Sequence, residues 1–289
     1  MQITKASGER EPFHKNKFCD SLKQAGAPED MTNEVCEQVS SEIEPDMTTS
    51  DIFRKASQYL TQKNARVAAR YNLKHGISEL GPAGFIFEQF VEIVLQTLGY
   101  ETKRNQIVQG KCVTHEIDVL AKKDNVHYLI EAKYHNKKGI KTPLDVVMYG
   151  HARLLDIQEE KAKTESEPHE HRMWLVTNTK FTTKAIAYAK CRNIPLTGWN
   201  YPENEGLEDI ITRYALYPIT SLPSVNAFER EQFAKSGTML ARDLAPYTAK
   251  DLTEKFNISP KVAEQIIEEM TALVYGEGVK GEQQTAVAS

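Results

Sequence analysis

Over the first 80 residues the apolar side chains alternate briefly and then recur every three to four positions. Residues 1–5 and 10–13 read as two short strands around a turn at Ser7-Gly8, and 15–25, 32–42 and 50–75 carry helical spacing. Thr49 or Ser50 suits the N-cap of the third helix, with Asp51 favourable in its first turn. The run Gly81-Pro82-Ala83-Gly84 then punctuates the chain. Residues 85–98 form a strongly apolar helical stretch that Gly99 is suited to end. Strand patterns follow at 102–108, 113–121 and 126–133, then a helix around 144–155. The polar, charged stretch 156–172 reads as an exposed loop or frayed helix end. A strand at 173–177, a helix at 182–192 and a short strand at 194–197 complete this region. Strands that pair early and later alternate with helices predict an α/β domain whose mixed sheet is covered on both faces. From 224 to 275 the pattern is helical again, broken at Gly237, Pro246 and Pro260, and the polar 276–289 is expected to be disordered.

A chain of 289 residues suits two or three domains. With 40% hydrophobic and 26% charged residues it has the composition of a soluble globular protein. It has no apolar run of about 18 residues, and its opening residues lack an apolar signal region, so no membrane partner and a cytoplasmic location are expected. Cys19, Cys36, Cys112 and Cys191 form no CxxC pair and are read as reduced, structural thiols. The net charge of −4 argues against nucleic acid, but its distribution changes that picture. Lys and Arg against Asp and Glu number 11 to 12 over 1–80, 17 to 14 over 81–200 and 8 to 14 beyond. The middle third alone is net positive, which agrees with phosphate contact there.

The chemistry concentrates in residues 115–133. Two β-rich segments meet at Asp124-Asn125, a pair suited to a two-residue hairpin turn. In that register Lys123 faces Val126 and Asp118 stands opposite Glu131, with Cβ atoms about 5 Å apart. Lys133, two residues past Glu131, shares its face because strand side chains alternate. Two carboxylates and an ammonium on one face suit a hard divalent cation and a phosphate. Lys133 could orient an attacking water or stabilise charge on the phosphate, and the backbone carbonyl of Ala132 is a further candidate ligand. An exposed hairpin carrying a cross-strand ion pair is the structural alternative.

With these motifs in order, the segment 81–200 resembles the restriction-endonuclease-like fold with the PD-(D/E)xK motif, specifically the Mrr-type, type IV restriction endonucleases. The leading helix of that family corresponds to Phe87-Glu88 and the closing Gly99-Tyr100. Its metal-binding Asp corresponds to Glu116-Ile117-Asp118, and its Glu-x-Lys signature to Glu131-Ala132-Lys133. Its later strand and helix are echoed by Leu175-Val176-Thr177-Asn178 and by 181–189. The resemblance implies catalytic Asp118, Glu131, Lys133 and Glu88, the last an accessory acid with Glu92 as competitor. It implies Mg²⁺ or Mn²⁺ held by Asp118, Glu131 and Ala132. Thr114-His115-Glu116 replaces the Gly-rich turn frequent in the family. His115 and Glu116 are read as solvated strand residues rather than supports for the metal ligands.

Residues 1–80 resemble the ATP-cone, a nucleotide-sensing domain, through Ile3, Lys5 and Gly8, Glu11-Pro12-Phe13, Lys17, Thr49-Ser50-Asp51-Ile52 and Ala68-Ala69-Arg70-Tyr71. The resemblance implies an ATP or dATP site in which Lys5 and Lys17 bind phosphates and Ile3 and Phe13 pack on the base. Glu11 or Thr49 would read sugar or base edges. Ala6 stands where the family has an Arg, so one bidentate phosphate contact is missing. Near the C-terminus Leu244, Leu252, Phe256, Ile258, Val262, Ile266 and Ile267 recur at helical spacing, and Ser259-Pro260 suits a helix start. That segment resembles a helix-hairpin-helix element but is acidic and lacks the Gly-rich hairpin, so a helical packing unit is an equal reading. His169-Glu170-His171 lacks further ligands for a metal, and no Walker-type loop is present.

The expected layout is therefore an ATP-cone over 1–80, a catalytic domain over 81–222, a helical segment over 223–275 and a tail over 276–289. The expected function is a Mg-dependent DNA endonuclease regulated by an adenine nucleotide and acting on foreign or modified DNA. A homo-oligomer is expected because duplex cleavage needs two sites. A non-catalytic, nucleotide-responsive DNA-binding regulator and a repair nuclease remain the alternatives.

Overall fold

The structure, a computed structural model, describes residues 1–5, 8–80, 84–136, 139–164 and 169–276. They form two compact units: Met1–Glu79 with the described chain from Ala215, and Leu80–Tyr214. Among the described residues no helix is long and apolar enough to cross a membrane.

The first unit opens with β1 (Gln2–Thr4) and β2 (Arg10–Pro12), antiparallel with Ile3 across from Glu11. Gly8, at φ +84°, bonds its amide to the Lys5 carbonyl, while Ala6 and Ser7 of the expected turn lie outside the described residues. Helices α1 (Lys15–Gln24), α2 (Glu29–Ser41), α3 (Thr49–Lys63) and α4 (Ala65–Ser78) follow. They close over Ile3, Phe18, Leu22, Val35, Val39, Ile52, Ala56 and Leu60. Two expectations need correcting here. The N-cap of α3 is Thr48, not Thr49 or Ser50: its hydroxyl accepts from the Asp51 amide and the Asp51 carboxylate accepts from the Thr48 amide. The expected helix over 50–75 is two helices, because Asn64 adopts φ −159°, ψ 103° and its side chain accepts from the Val67 amide to start α4. The thiols differ as well. Cys19 and Cys36 form a disulfide joining α1 to α2, with Cα atoms 5.5 Å apart, while Cys112 and Cys191 are free and exposed.

The second unit begins with α5 (Gly84–Thr97), which buries Phe87, Phe90, Val91, Val94 and Leu95 and ends before Gly99 at φ +84°. Next come β3 (Glu101–Gln109), β4 (Thr114–Lys123), β5 (Val126–Lys133), β6 (Lys141–Thr142) and α6 (Leu144–Thr164). The chain continues through β7 (Glu170–Thr177), β8 (Lys180–Phe181), α7 (Thr183–Cys191), β9 (Leu196–Thr197) and α8 (Leu207–Arg213). The main sheet has the order β3-β4-β5-β7-β9, antiparallel through β5 and parallel beyond, so β5 is central and joins the two halves. Helix α5 packs on β3, β4 and β5. A second apolar cluster joins Val147, Leu154 and Ile157 of α6 and Ala185 and Ala189 of α7 to Ile117, Leu129, Met173 and Leu175 of the sheet.

The stretch 156–172 is mostly not a loop. Helix α6 runs on to Thr164 because Ile157 is fully buried and its neighbours bind on either side. The Asp156 carboxylate accepts from the Cys112 amide (2.9 Å), the Val113 amide and His115 Nε2 (2.7 Å), and Gln158 donates to the His171 carbonyl. Only 165–168, outside the described residues, separate this helix from residue 169.

The chain returns to the first unit through a 3₁₀ turn (Ile219–Ser221), α9 (Ala227–Ser236), α10 (Ala249–Phe256) and α11 (Pro260–Tyr275). The turn lies on α4 so closely that a Cβ at Gly76 would meet the Ser221 amide nitrogen at 2.7 Å. Thr220 donates to the Gly76 carbonyl, Arg70 to the Tyr217 hydroxyl, and Arg230 pairs with Glu79. Gly237, at φ +74°, closes α9, and Pro260 opens α11 although Ser259 makes no side-chain cap.

Candidate active site

The hairpin joining β4 to β5 sets the geometry. Asp124 and Asn125 both take left-handed backbone angles, φ +50° and +62°, as a two-residue turn requires. The pairs Lys123↔Val126, Leu120↔Leu129 and Val119↔Ile130 follow. The ladder ends at Val119↔Ile130, so Asp118 and Glu131 lie one residue beyond its last pair. The Asp118 Oδ2 accepts a hydrogen bond from the Ala132 amide at 2.7 Å. On its other side the β3–β4 ladder pairs Arg104 with Val119 and Gln106 with Ile117, leaving Asn105, at φ +52°, beside Asp118. Ile117 and Leu120 then join one apolar cluster although they lie three residues apart. Strict alternation would place them on opposite faces, so the strand shifts its facing at Asp118.

Two carboxyls at this point, Asp118 and Glu88, are raised. Burial pushes the Asp118 carboxyl up to about 7; Glu131 and Glu88 push the same way, while the Ala132 amide and Arg153 oppose. Burial also raises Glu88, with Glu116 and Glu131 adding to it and Arg104 opposing. Glu88 therefore faces the acidic cluster, while Glu92, one turn on, binds Arg104 (2.5 Å) and Thr102. Glu131 Oε2 accepts from Arg153 Nη1 of α6 at 2.7 Å. Lys133 is half-buried and makes no ion pair among the described residues. Among those residues no three of His, Cys, Asp and Glu converge tightly enough to hold an ion unaided. Mg²⁺ commonly takes one or two protein carboxylates and completes its shell with water and substrate phosphate. The hard oxygens of Asp118, raised chiefly by burial, and of Glu131 fit that ion.

A buried polar network holds the end of β5 beside Lys133. Thr177 Oγ1 donates to the Lys133 carbonyl (2.7 Å), and Thr142 Oγ1 donates to Thr177 (3.1 Å). His135 Nε2 lies 3.1 Å from Thr142 Oγ1. Asn178 donates to the His135 carbonyl and accepts from its amide. Burial and the Lys133 charge hold the His135 pKa below its ordinary value.

His115 is neither a support for the site nor solvated: it is tied to Asp156, whose carboxyl is held at about 2 chiefly by that bond. Sequence reasoning did not find Arg153 or Arg104. Arg153 follows Glu131 by 22 residues in a charged helix and reaches it only through the crossover from β5 to β7.

In the first unit Ile3 is buried and Phe13 packs beside it, 6.1 Å from the Phe18 ring. Lys5 lies 3.0 Å from Glu11 and 3.1 Å from Glu9. Lys17 is exposed, and its charge helps lower the Glu11 pKa, an effect led by the bond to Lys5. A parallel bridge between Thr4 and Thr48 brings β1 beside the start of α3, where Thr49 is half-buried. Ala6 lies outside the described residues.

Comparison with known proteins gives three family matches along the chain. The ATP cone domain matches residues 1–74, the restriction endonuclease family of Mrr-type catalytic domains matches 82–200, and the AF1548-like C-terminal domain matches 217–274. An uncharacterized protein of Archaeoglobus fulgidus is 39% identical over 181 residues, 63% of this chain and 98% of the relative. The crystal structure of a protein of unknown function, AF1548, aligns with TM-score 0.53 and 36% identity, over 68% of this chain and all of that one.

Proposed function

The chain belongs to the AF1548-like family, with a restriction-endonuclease-like domain preceded by an ATP cone domain, and on that footing we propose that it is a metal-dependent endodeoxyribonuclease controlled by an adenine nucleotide. The observation that supports the reading is the β4–β5 hairpin, in which the amide of Ala132, between Glu131 and Lys133, donates to the Asp118 carboxylate. Asp118, Glu131 and the Ala132 carbonyl would hold Mg²⁺ or Mn²⁺, with Glu88 as an accessory acid. When bound, such an ion polarises a phosphoryl oxygen and lowers the pKa of an attacking water.

The chain's own residues supply the rest. The Ala132 amide fixes the Asp118 carboxylate, and Thr177 fixes the backbone from which Lys133 projects. The Lys133 ammonium orients the water and neutralises charge building on the phosphate. Water adds to phosphorus, the bond to the leaving sugar oxygen breaks, and that oxygen takes up a proton from solvent. ATP or dATP would bind at Ile3, Lys5, Glu11, Phe13, Lys17 and Thr49. The reading extends to a cytoplasmic homo-oligomer that restricts foreign or modified DNA.

The test is incubation of plasmid DNA with the protein and Mg²⁺, with and without ATP and dATP, beside Asp118→Ala prepared identically. Metal-dependent cutting lost in the variant supports the nuclease. Absence of cutting on unmodified, methylated and branched DNA overturns it in favour of a DNA-binding regulator.

A further inference from the structure

Two arginines flank the acidic cluster; each keeps one buried N–H group without a hydrogen-bond partner among the described residues, and Arg153 also donates to the Tyr149 side chain. Arg104 of β3 gives Nε to Glu92, while its buried Nη1 has no hydrogen-bond partner among the described residues. Arg153 of α6 gives Nη1 to Glu131, lies 4.8 Å from the exposed Tyr149 ring, and buries Nε without a hydrogen-bond partner among those residues. A guanidinium offers five N–H groups in a planar fork that matches a carboxylate or a phosphate. A buried donor left unmatched is costly, so each fork is poised for one more acceptor. The two differ in what they already hold. Arg104 binds Glu92, which is not among the acids that act on Asp118, whereas Arg153 binds the carboxylate that the ion would require.

We propose that Arg153 is a placeholder cation: it occupies Glu131 until a divalent ion arrives, and its fork then engages a phosphate of the bound DNA. The inference rests on the endonuclease reading and names the residue that couples ion loading to substrate capture. Glu131 Oε2 cannot serve Arg153 and an ion fully at once, so the two compete for it. Arg153 and Glu131 are only 14% and 19% exposed, so solvent screens the competition little. Once displaced from Glu131, the guanidinium remains next to the reacting phosphate, where its charge favours DNA. The two effects of removing Arg153 therefore have opposite signs, whereas a merely structural arginine would on removal weaken both ligands.

The measurement is Mn²⁺ binding to the full chain without DNA, followed by electron paramagnetic resonance of the free ion. Arg153→Gln should bind Mn²⁺ about tenfold more tightly than the parent chain. In a Glu131→Gln background the same change should alter affinity by less than about twofold, because the contact it relieves is gone. KM for plasmid cleavage should rise about tenfold in Arg153→Gln, with partial recovery in Arg153→Lys, which keeps the charge but not the fork. Arg153→Met, which keeps the aliphatic stem, repeats the Mn²⁺ measurement if the Gln variant is poorly folded. Unchanged or weakened Mn²⁺ affinity in a folded variant of a chain that does bind Mn²⁺ and cut DNA overturns the placeholder alone. A parent chain that neither binds Mn²⁺ nor cuts overturns the endonuclease reading and this inference with it.

Discussion

The hairpin of the ATP cone and the hairpin of the nuclease domain both carry charge in a tight antiparallel turn, and they manage it in opposite ways. In the first, Lys5 sits between Glu9 and Glu11, 3.1 and 3.0 Å away, with side chains 34%, 68% and 23% exposed. The bonds to Glu11 and Glu9 raise Lys5, and the bond to Lys5 lowers Glu11, so each group is held in its charged form. In the second, burial drives the partly buried Asp118 up to about 7 and raises Glu88, with Glu131 and Glu88 adding to the first shift and Glu116 and Glu131 to the second. A site that neutralises itself in solvent must exchange partners to bind an anion, at modest cost because exposed ion pairs are weak. A partly buried site whose raised acids are only partly offset by two arginines, one of them on Glu131, gains most when a divalent ion arrives. The comparison predicts large effects at the nuclease hairpin and small ones at the cone.

The largest effect follows from removing a partner of the ion or of the phosphate. Asp118→Ala should lower Mg²⁺-dependent plasmid cleavage by at least about 10³-fold, and Lys133→Met by about 10² to 10³-fold. Both variants should remain folded, as read by far-UV circular dichroism at the assay temperature. A Lys133→Met variant that cuts at the parent's rate would remove the ammonium from the chemistry.

The next effect is on stability. The Asp118 carboxyl has its pKa raised from an ordinary 3.8 to about 7 in the fold. The folded chain therefore holds a proton that the unfolded chain has lost between about pH 4 and 7. Its contribution to stability is full below that window and declines as pH rises through it, by at most about 1.4 kcal/mol per pH unit. Urea unfolding without divalent ions should show this decline, and Asp118→Asn should flatten it. Glu88 and Glu269, both raised by burial, add slopes of the same sign, so the difference between parent and variant is the quantity to read. Millimolar Mn²⁺ should restore stability at pH 7.5 in the parent and not in the variant. A parent curve parallel to that of Asp118→Asn would show that the cluster is not strained.

How far each hairpin can be read from sequence also differs. In the nuclease domain Asp124-Asn125 fixes the register by itself, since both residues tolerate left-handed angles, and counting outward carries the pairing to Val119↔Ile130, beside Asp118 and Glu131. The facing shift at Asp118 was hidden because Asn105, which accompanies it, lies on a different strand. Arg153 was hidden for a related reason: a helix residue's partner on a sheet depends on the crossover, and the charged stretch after Leu155 disguised the buried Ile157 that anchors α6. Asn64 splits a helix without Gly or Pro, through its side-chain cap on Val67. Helices α9, α10 and α11 were legible from Gly237, Pro246 and Pro260. The packing of α11 and the Ile219–Ser221 turn on α4 was not, because an apolar face does not name its partner. Cys19 and Cys36, 17 residues apart, meet because α1 and α2 fold back on each other.

At the cone the expected effects are smaller. Lys5→Ala should weaken ATP binding about tenfold, measured by calorimetry on the full chain, because one phosphate contact is lost. Unchanged affinity would move the phosphate site away from β1.

Glu11→Gln gives the smallest expected change and the sharpest contrast, because Glu11 stands in two roles at once. As the partner of Lys5 it would compete with phosphate; in the proposed site, as a group reading the nucleoside, it would favour adenine. Removing its charge should therefore raise affinity for inorganic tripolyphosphate by about two- to threefold, the size expected for an exposed ion pair. The same change should narrow any preference for ATP over GTP. The first effect without the second would leave Glu11 as a counter-ion alone, and base reading would pass to Thr49. A loss of tripolyphosphate affinity would mean that Glu11 holds Lys5 in its binding position, and the cone would then resemble the nuclease hairpin, where one side chain's contact fixes another.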